Sequence, residues 1–194
     1  SCAGVAPAGA LLTSPVKMFT RAFDINAAAN VVLAQAFLPA MISNNHGHFM
    51  TVASSASYFS LPNLCAYSMS KTAALAFLES LRAELRAVYK ACRVRTSVVT
   101  PTKVRTVLAE GLNEGDDDFL MPVLEPIQVA RAMADTLNSG LSRNISLPLG
   151  SALLPYLRAL PEWYRGALRA MGNTDALVTP ESLSLIHISE PTRL

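Results

Sequence analysis

Residues Asn44–Phe77 read NNHGHFMTVASSASYFSLPNLCAYSMSKTAALAF, a turn, a strand, a small polar loop and the start of a helix. The six residues His48–Ala53 (HFMTVA) are apolar and partly β-branched, as a buried strand requires. The polar turn NNHGH precedes them and a run of Ser and Ala follows, so both ends are marked. From Cys65 to about Tyr89, Leu78, Leu81, Leu85 and Val88 recur at helical spacing. Glu79, Arg82, Glu84 and Arg86 take mainly the remaining faces, which predicts an amphipathic helix laid on a core.

Working outward, Arg93–Val99 (RVRTSVV) predicts a second strand, stopped by Pro101. Upstream, Ser1–Pro7 (SCAGVAP) has the character of a strand end running into a loop, and Ser14-Pro15 offers a helix start. Residues Asp24 to Ile42 are mostly helix formers, with a break expected at Pro39. Downstream, residues 102–124 carry Gly111, Gly115 and the acidic run Asp116-Asp117-Asp118, a mobile surface loop by composition. Pro126 suits the first turn of a helix reaching about Asn138. Asn144–Leu149 predicts the last strand, and Leu153–Met171 a closing helical segment interrupted by Pro155 and Pro161. Strands separated by helix-length segments give an α/β class with a parallel sheet.

The composition narrows the function. The chain has 194 residues, 51% hydrophobic and 15% charged, which is enough for one sizeable core and unlike a disordered protein. A net charge of +2 from 16 basic and 14 acidic residues provides no basic stripe for phosphates along a strand of nucleic acid, so no nucleic-acid partner is expected. Cys2, Cys65 and Cys92 have no zinc-site spacing and are expected to be small buried residues in a reducing compartment. His46 and His48 lack further ligands nearby and belong to a turn and a strand start; no metal site is expected. No uninterrupted run reaches the eighteen or so apolar residues of a membrane span, and no signal peptide opens the chain. The expected location is cytoplasmic or peripheral on an intracellular membrane.

The chemistry concentrates at Tyr67-Ser68-Met69-Ser70-Lys71. A spacing of four puts Tyr67 and Lys71 on one helical face. An ammonium beside a phenol favours the phenolate, drawing the tyrosine pKa down from about 10 toward the range of general acid/base work. The same pattern also suits an ordinary helix in which the tyrosine packs and the lysine is solvated. Ser54 adds context, lying at the end of the HFMTVA strand and thirteen residues before Tyr67.

With Ser54, Tyr67 and Lys71 so placed, the Asn44–Phe77 block resembles the catalytic segment of the short-chain dehydrogenase/reductase family. The resemblance covers roughly residues 1 to 180. It implies that Tyr67 is the general acid/base, that Ser54 hydrogen-bonds the substrate oxygen, and that Lys71 lowers the tyrosine pKa and contacts the nicotinamide ribose. Phe23-Asp24-Ile25-Asn26 matches the setting of the family's fourth catalytic residue, an asparagine that holds a water in the proton path. That role is assigned to Asn26, with Asn30, a turn later, as the alternative. Pro101-Thr102-Lys103-Val104-Arg105-Thr106 resembles the segment that contacts the nicotinamide carboxamide, so Pro101, Val104 and Thr106 join Tyr67 and Lys71 as cofactor-binding candidates. Thr102 stands where the family has glycine, which makes that backbone less permissive. Ser1-Cys2-Ala3-Gly4 resembles the Asn-Asn-Ala-Gly segment beside the cofactor, and Gly4 is its remaining candidate.

The implied fold is the C-terminal part of a Rossmann-type doubly wound parallel sheet. The first βαβ units, with the glycine-rich turn that grips the pyrophosphate, are expected to lie outside this chain. Residues 1–182 would be a partial catalytic domain. Residues 183–194, from LSLIHISEPTR onward, look like the translation of a transposase sequencing adapter. Ala36–Met41 (AFLPAM) with the following turn resembles the branch acting on retinoids, steroids and other lipophilic alcohols. The resulting expectation is an NAD- or NADP-dependent oxidoreductase interconverting a secondary alcohol and a carbonyl on a lipophilic substrate, homo-oligomeric when complete, with peripheral membrane contact through the apolar segment Ala152–Trp163. The alternatives are an epimerase or dehydratase sharing the Tyr-x-x-x-Lys pattern, a cofactor-sensing or interaction protein of the same fold, and an inactive fragment.

Overall fold

The computed structural model describes residues 2–106 and 122–171. The glycines and acidic run expected to form a mobile loop, Gly111 to Asp118, lie outside the described residues, and so does the 183–194 tail. Helix α1 (Val16–Phe23) passes through a single π turn at Asp24–Ala28 into α2 (Ala29–Ser43). Strand β1 (Gly47–Val52) leads through a 3-10 turn at Ser55–Ser57 to the long helix α3 (Cys65–Ala87) and strand β2 (Val94–Pro101). Helix α4 (Pro126–Ser139), strand β3 (Asn144–Leu147), a 3-10 turn at Leu149–Leu153, and helices α5 (Leu154–Leu157) and α6 (Glu162–Met171) follow.

The three strands form one parallel sheet in the order β1-β2-β3. Gly47 pairs with Val94 and Val52 with Val99, while Val98 pairs with Asn144 and Pro101 with Leu147. The core gathers Leu75, Leu78, Leu81 and Leu85 of α3 against Phe49 of β1, Val94 and Val98 of β2, and Ala34 and Leu38 of α2. Ring edges of Phe49 and Phe77 meet with centroids 6.2 Å apart, a favoured T-shaped contact. At the NNHGH turn only glycine fits. Gly47 has φ +153°, and a Cβ there would stand 2.5 Å from the Met41 side chain. Helix α4 begins as its sequence predicts, with Pro126 in its first turn and a capping box between Glu125 and Gln128.

Four expectations need correction. Residues 2–7 pair with no described strand; the backbone of Val5 is instead bonded on both sides by the Asn26 side chain. Pro39 does not break α2, because both it and Gln35, whose carbonyl loses its partner, are exposed and that carbonyl can be hydrated. The cysteines are not core residues: Cys2 and Cys92 are exposed, in the open N-terminal stretch and in the turn before β2, and Cys65 is partly so. Finally, α1, the π turn and α2 run together over Val16–Ser43 and are long and apolar enough, by length and composition, to cross a membrane. Only 28% of that apolar window is buried here, through packing of α1 and the π turn against α3, with Asn26 and Asn30 among the buried residues.

Candidate active site

Three elements converge at the C-terminal end of β1. Strand β1 ends at Val52 and hands the chain on to Ser54, the π turn carries Asn26, and the first turns of α3 carry Tyr67, Ser70 and Lys71. Ser54 is buried, and its Oγ accepts from the Ala56 N–H at 3.2 Å, capping the 3-10 turn that redirects the chain. The Ser54 hydroxyl is also close enough to the Tyr67 phenol to favour its ionised form.

Lys71 is 4% exposed, so its charge needs partners. Its Nζ donates to the Val52 carbonyl at 2.9 Å and stands 6.0 Å from the centroid of the Tyr67 ring. Burial pulls the amine down to about 8 from its ordinary 10.5, with Cys2 nearby acting in the opposite direction. The expected lowering of the Tyr67 pKa is not found. Burial pushes the phenol above its ordinary value, and the nearby Ser54 hydroxyl only partly opposes this. The reason is geometric, since the ammonium is directed at a backbone carbonyl of β1.

Asn26 is 2% exposed and bonded at both ends of its amide. Its Oδ1 accepts from the Val5 N–H at 2.9 Å, and its Nδ2 donates to the Val5 carbonyl at 2.9 Å and to Ser70 Oγ at 2.8 Å. Ser70, fully buried, donates in turn to the Tyr67 carbonyl at 2.8 Å. The π turn gives Asn26 this reach, one residue being added to the helical turn that presents it; π turns recur at functional sites. Asn30 is not interchangeable with Asn26: its Nδ2 donates to the Asn26 carbonyl at 2.8 Å, and its Oδ1 accepts from Thr51 at 3.3 Å.

Gly4 completes the cluster. A Cβ at this position would lie 3.3 Å from both Asn26 Oδ1 and Lys71 Nζ, so the chain passes this pair closely only because glycine has no side chain. The structure thus brings Gly4, Asn26, Ser54, Tyr67 and Lys71 together. Pro101, buried, ends β2 beside the same strand ends, and Thr102 N–H donates to Leu147 at 2.8 Å. Thr102 has no positive φ, so it needs none of glycine's freedom; its Oγ1 is buried without a partner. Val104 and Thr106 lie farther along, where Val104 bridges to Leu124 and the exposed Thr106 hydroxyl donates to the Val104 carbonyl at 3.3 Å. Sequence reading passed over Ser70 even though it lies within the quoted motif. A small polar residue next to a lysine carries no period or charge signal of its own.

His48 is engaged within the sheet. Its Nε2 lies 2.9 Å from Ser97 Oγ, and burial, followed by Arg95, lowers its pKa. Among the described residues no group of three or more His, Cys, Asp or Glu could hold a metal.

The profile of the family described as short chain dehydrogenase matches residues 1–117. Estradiol 17-beta-dehydrogenase 11 of Pongo abelii is 37% identical over 169 residues, covering 86% of this chain and 54% of its own length. Epidermal retinol dehydrogenase 2 of Mus musculus is 36% identical over 135 residues, covering 70% of this chain and 43% of its own length. The chain therefore spans about half the length of these curated relatives. Among solved structures, a short chain dehydrogenase from Burkholderia cenocepacia in complex with NADP superposes with a TM-score of 0.68 at 24% identity over 93% of this chain and 68% of that one, which establishes the shared Rossmann-type fold. By profile, relatives and fold, the chain belongs to the short-chain dehydrogenase family, on the branch that includes the estradiol and retinol dehydrogenases it matches.

Proposed function

We propose that the intact protein is an NAD(P)-dependent oxidoreductase that interconverts a lipophilic alcohol, of retinoid or steroid type, and its carbonyl. The observation that carries this reading is the gathering of Ser54, Tyr67 and Lys71 at the end of β1, with Lys71 Nζ bonded to the Val52 carbonyl at 2.9 Å and 6.0 Å from the Tyr67 ring centroid. A substrate oxygen seated against Ser54 and Tyr67 meets two hydroxyl donors. Tyr67 gives or takes the proton at that oxygen, and its raised pKa keeps the phenol protonated near neutral pH, which suits proton donation to a developing alkoxide. Ser54 Oγ steadies the charge on the same oxygen. Asn26 holds the Val5 backbone beside Lys71, with the proton-path water as its further role.

A nicotinamide cofactor fits the residues present. The side-chain-free backbone at Gly4 beside Lys71 Nζ, together with the orphaned Thr102 Oγ1, leaves room and a donor at the strand ends. Gly4, Tyr67, Lys71, Pro101, Val104 and Thr106 would hold its nicotinamide and ribose. When bound, the cofactor supplies the hydride acceptor or donor. The lipophilic preference is supported by Leu149, Leu153, Tyr156 and Trp163, which are 68–85% exposed at the closing helices and offer a surface for an apolar substrate or a membrane. Arg169, stacked 5.3 Å from the Phe59 ring, ties α6 to the loop after Ser54. We also propose that residues 1–182 are the native part of the chain and that 183–194 are not. The test is cofactor-linked oxidation of a panel of retinoid and steroid alcohols by the full-length gene product. No turnover of any panel member with either cofactor would overturn the reading.

A further inference from the structure

At the other end of the sheet, a cavity of about 120 Å³ opens between the last turns of α3 and the start of β2. Its walls include Arg82, Arg86, Arg95, Cys92, Thr96 and Ser142. Val94, at its floor, pairs with Gly47 at the beginning of β1, whereas Ser54 follows the end of β1. At about 3.3 Å per residue the two places are roughly 20 Å apart, so this cavity is not part of the site described above.

The walls hold positive charge and no carboxylate. Arg82 donates through Nε to Thr96 Oγ1 at 2.9 Å and through Nη2 to Asn144 Oδ1 at 3.0 Å. Arg95 donates through Nη1 to the Cys92 carbonyl at 3.4 Å. All of these acceptors are neutral. Arg86 lies one turn beyond Arg82 on the same face of α3, an arrangement that costs energy between like charges unless an anion offsets it. Between Arg82 and Arg95 the sequence has five basic residues and a single acid, Glu84, which does not line the cavity, while the whole chain is only +2. Leu85 and Val94, both buried, form an apolar floor that lowers the local dielectric and strengthens charge interactions at the mouth. Ser142 Oγ accepts from the Thr96 N–H at 3.1 Å, so its own proton can be donated elsewhere.

We propose that this cavity binds a phosphate-type oxyanion. Guanidinium forks match phosphate oxygens bidentately, and the volume admits a phosphate group with a few waters at about 30 Å³ of liquid volume each. The phosphate can belong to a soluble ester or to a lipid headgroup, and the experiment separates the two. Calorimetric titration of the full 194-residue chain with inorganic phosphate is paired with sedimentation on vesicles of phosphatidic acid or of phosphatidylcholine.

Saturable phosphate binding is expected, weakened roughly fivefold to tenfold in Arg86→Gln and in Arg95→Gln and unchanged in Arg131→Gln on the exposed side of α4. Arg82 is left intact because it ties α3 to both β2 and β3. Retention on phosphatidic acid alone, lost in Arg86→Gln, assigns the phosphate to a lipid. Calorimetric binding without vesicle retention assigns it to a soluble ester. Absence of saturable binding in both arms, or equal weakening by Arg131→Gln, overturns the site.

Discussion

The two halves of α3 are buried to the same degree with opposite materials. Its first turns bury Ser68, Ser70 and Lys71, at 3%, 0% and 4% exposure, while its later turns bury Leu75, Leu78, Leu81 and Leu85, none above 6%. The leucines need only be apolar and of the right volume to pack against Phe49, Val94 and Val98. The polar half must satisfy each buried group, and it does so unevenly: Lys71 and Ser70 are bonded, whereas Ser68 Oγ has no partner. The later half supplies cohesion and the first half supplies orientation, on one continuous helix. Damage to one should therefore leave the other's property intact.

The largest expected effect is on turnover. Tyr67→Phe in the full-length protein should lower kcat by roughly two to four orders of magnitude, the usual worth of a general acid/base. The melting temperature should hardly change, because the substitution keeps the ring. Rate measurements beside a thermal melt check both halves of the statement; near-wild-type turnover would remove Tyr67 from the chemistry. The converse substitution is Leu78→Ala, at a residue 1% exposed. It should cost about 3 kcal/mol of stability through lost burial and a residual cavity. Denaturant titration measures this, and a loss below about 1 kcal/mol would mean that the helix can collapse onto the gap.

The same division governs what could be read from the sequence. Leucines at helical spacing and the short β-branched runs announced α3, β1 and β2 with ends within a few residues, because burial of one face imposes a period. The separations of Tyr67, Lys71 and Ser54 suit an ordinary helix as well, and they pointed to chemistry only through the resemblance to a family pattern. The π turn at Asp24–Ala28 was not legible, since no residue type marks an inserted residue in a helix, and the reach of Asn26 to Val5 and Ser70 depends on it. Nor was the direction of Lys71 Nζ, which is set by the three-dimensional approach of β1 to α3. Cys92 was misjudged because cysteine's usual burial is a statistical habit, and the turn between α3 and β2 overrides it.

A pH series sharpens the comparison within the polar half. Lys71 has a folded pKa of about 8 against 10.5 in an unconstrained chain, so between those values the unfolded state binds more protons. Folding stability from this group must then rise with pH across that window, by at most roughly 3 kcal/mol at about 1.4 kcal/mol per pKa unit. The raised Tyr67 pKa acts the other way only above its ordinary value of 10.0, where the unfolded phenol ionises first. Melts from pH 8 to pH 10 should therefore climb in the wild type and be flatter in Lys71→Met. A parallel climb in the variant would show that another group carries the titration.

The smallest effect separates two buried serines in the first turns of α3. Ser70 Oγ accepts from Asn26 Nδ2 at 2.8 Å and donates to the Tyr67 carbonyl at 2.8 Å, so Ser70→Ala removes both contacts and weakens the link between the π turn and the start of the helix. Asn26 Nδ2 keeps its bond to the Val5 carbonyl, which limits the loss to about 1–2 kcal/mol. Ser68 is buried to nearly the same extent, yet its hydroxyl has been taken out of water without gaining a partner. Replacing it with alanine removes that uncompensated cost along with one small atom, so Ser68→Ala should be neutral or raise stability by a few tenths of a kcal/mol. Denaturant midpoints of the two variants, measured side by side, decide the matter by sign. Equal destabilisation by both would mean that volume, rather than hydrogen bonding, governs the first turns of α3, and the contrast between its halves would disappear.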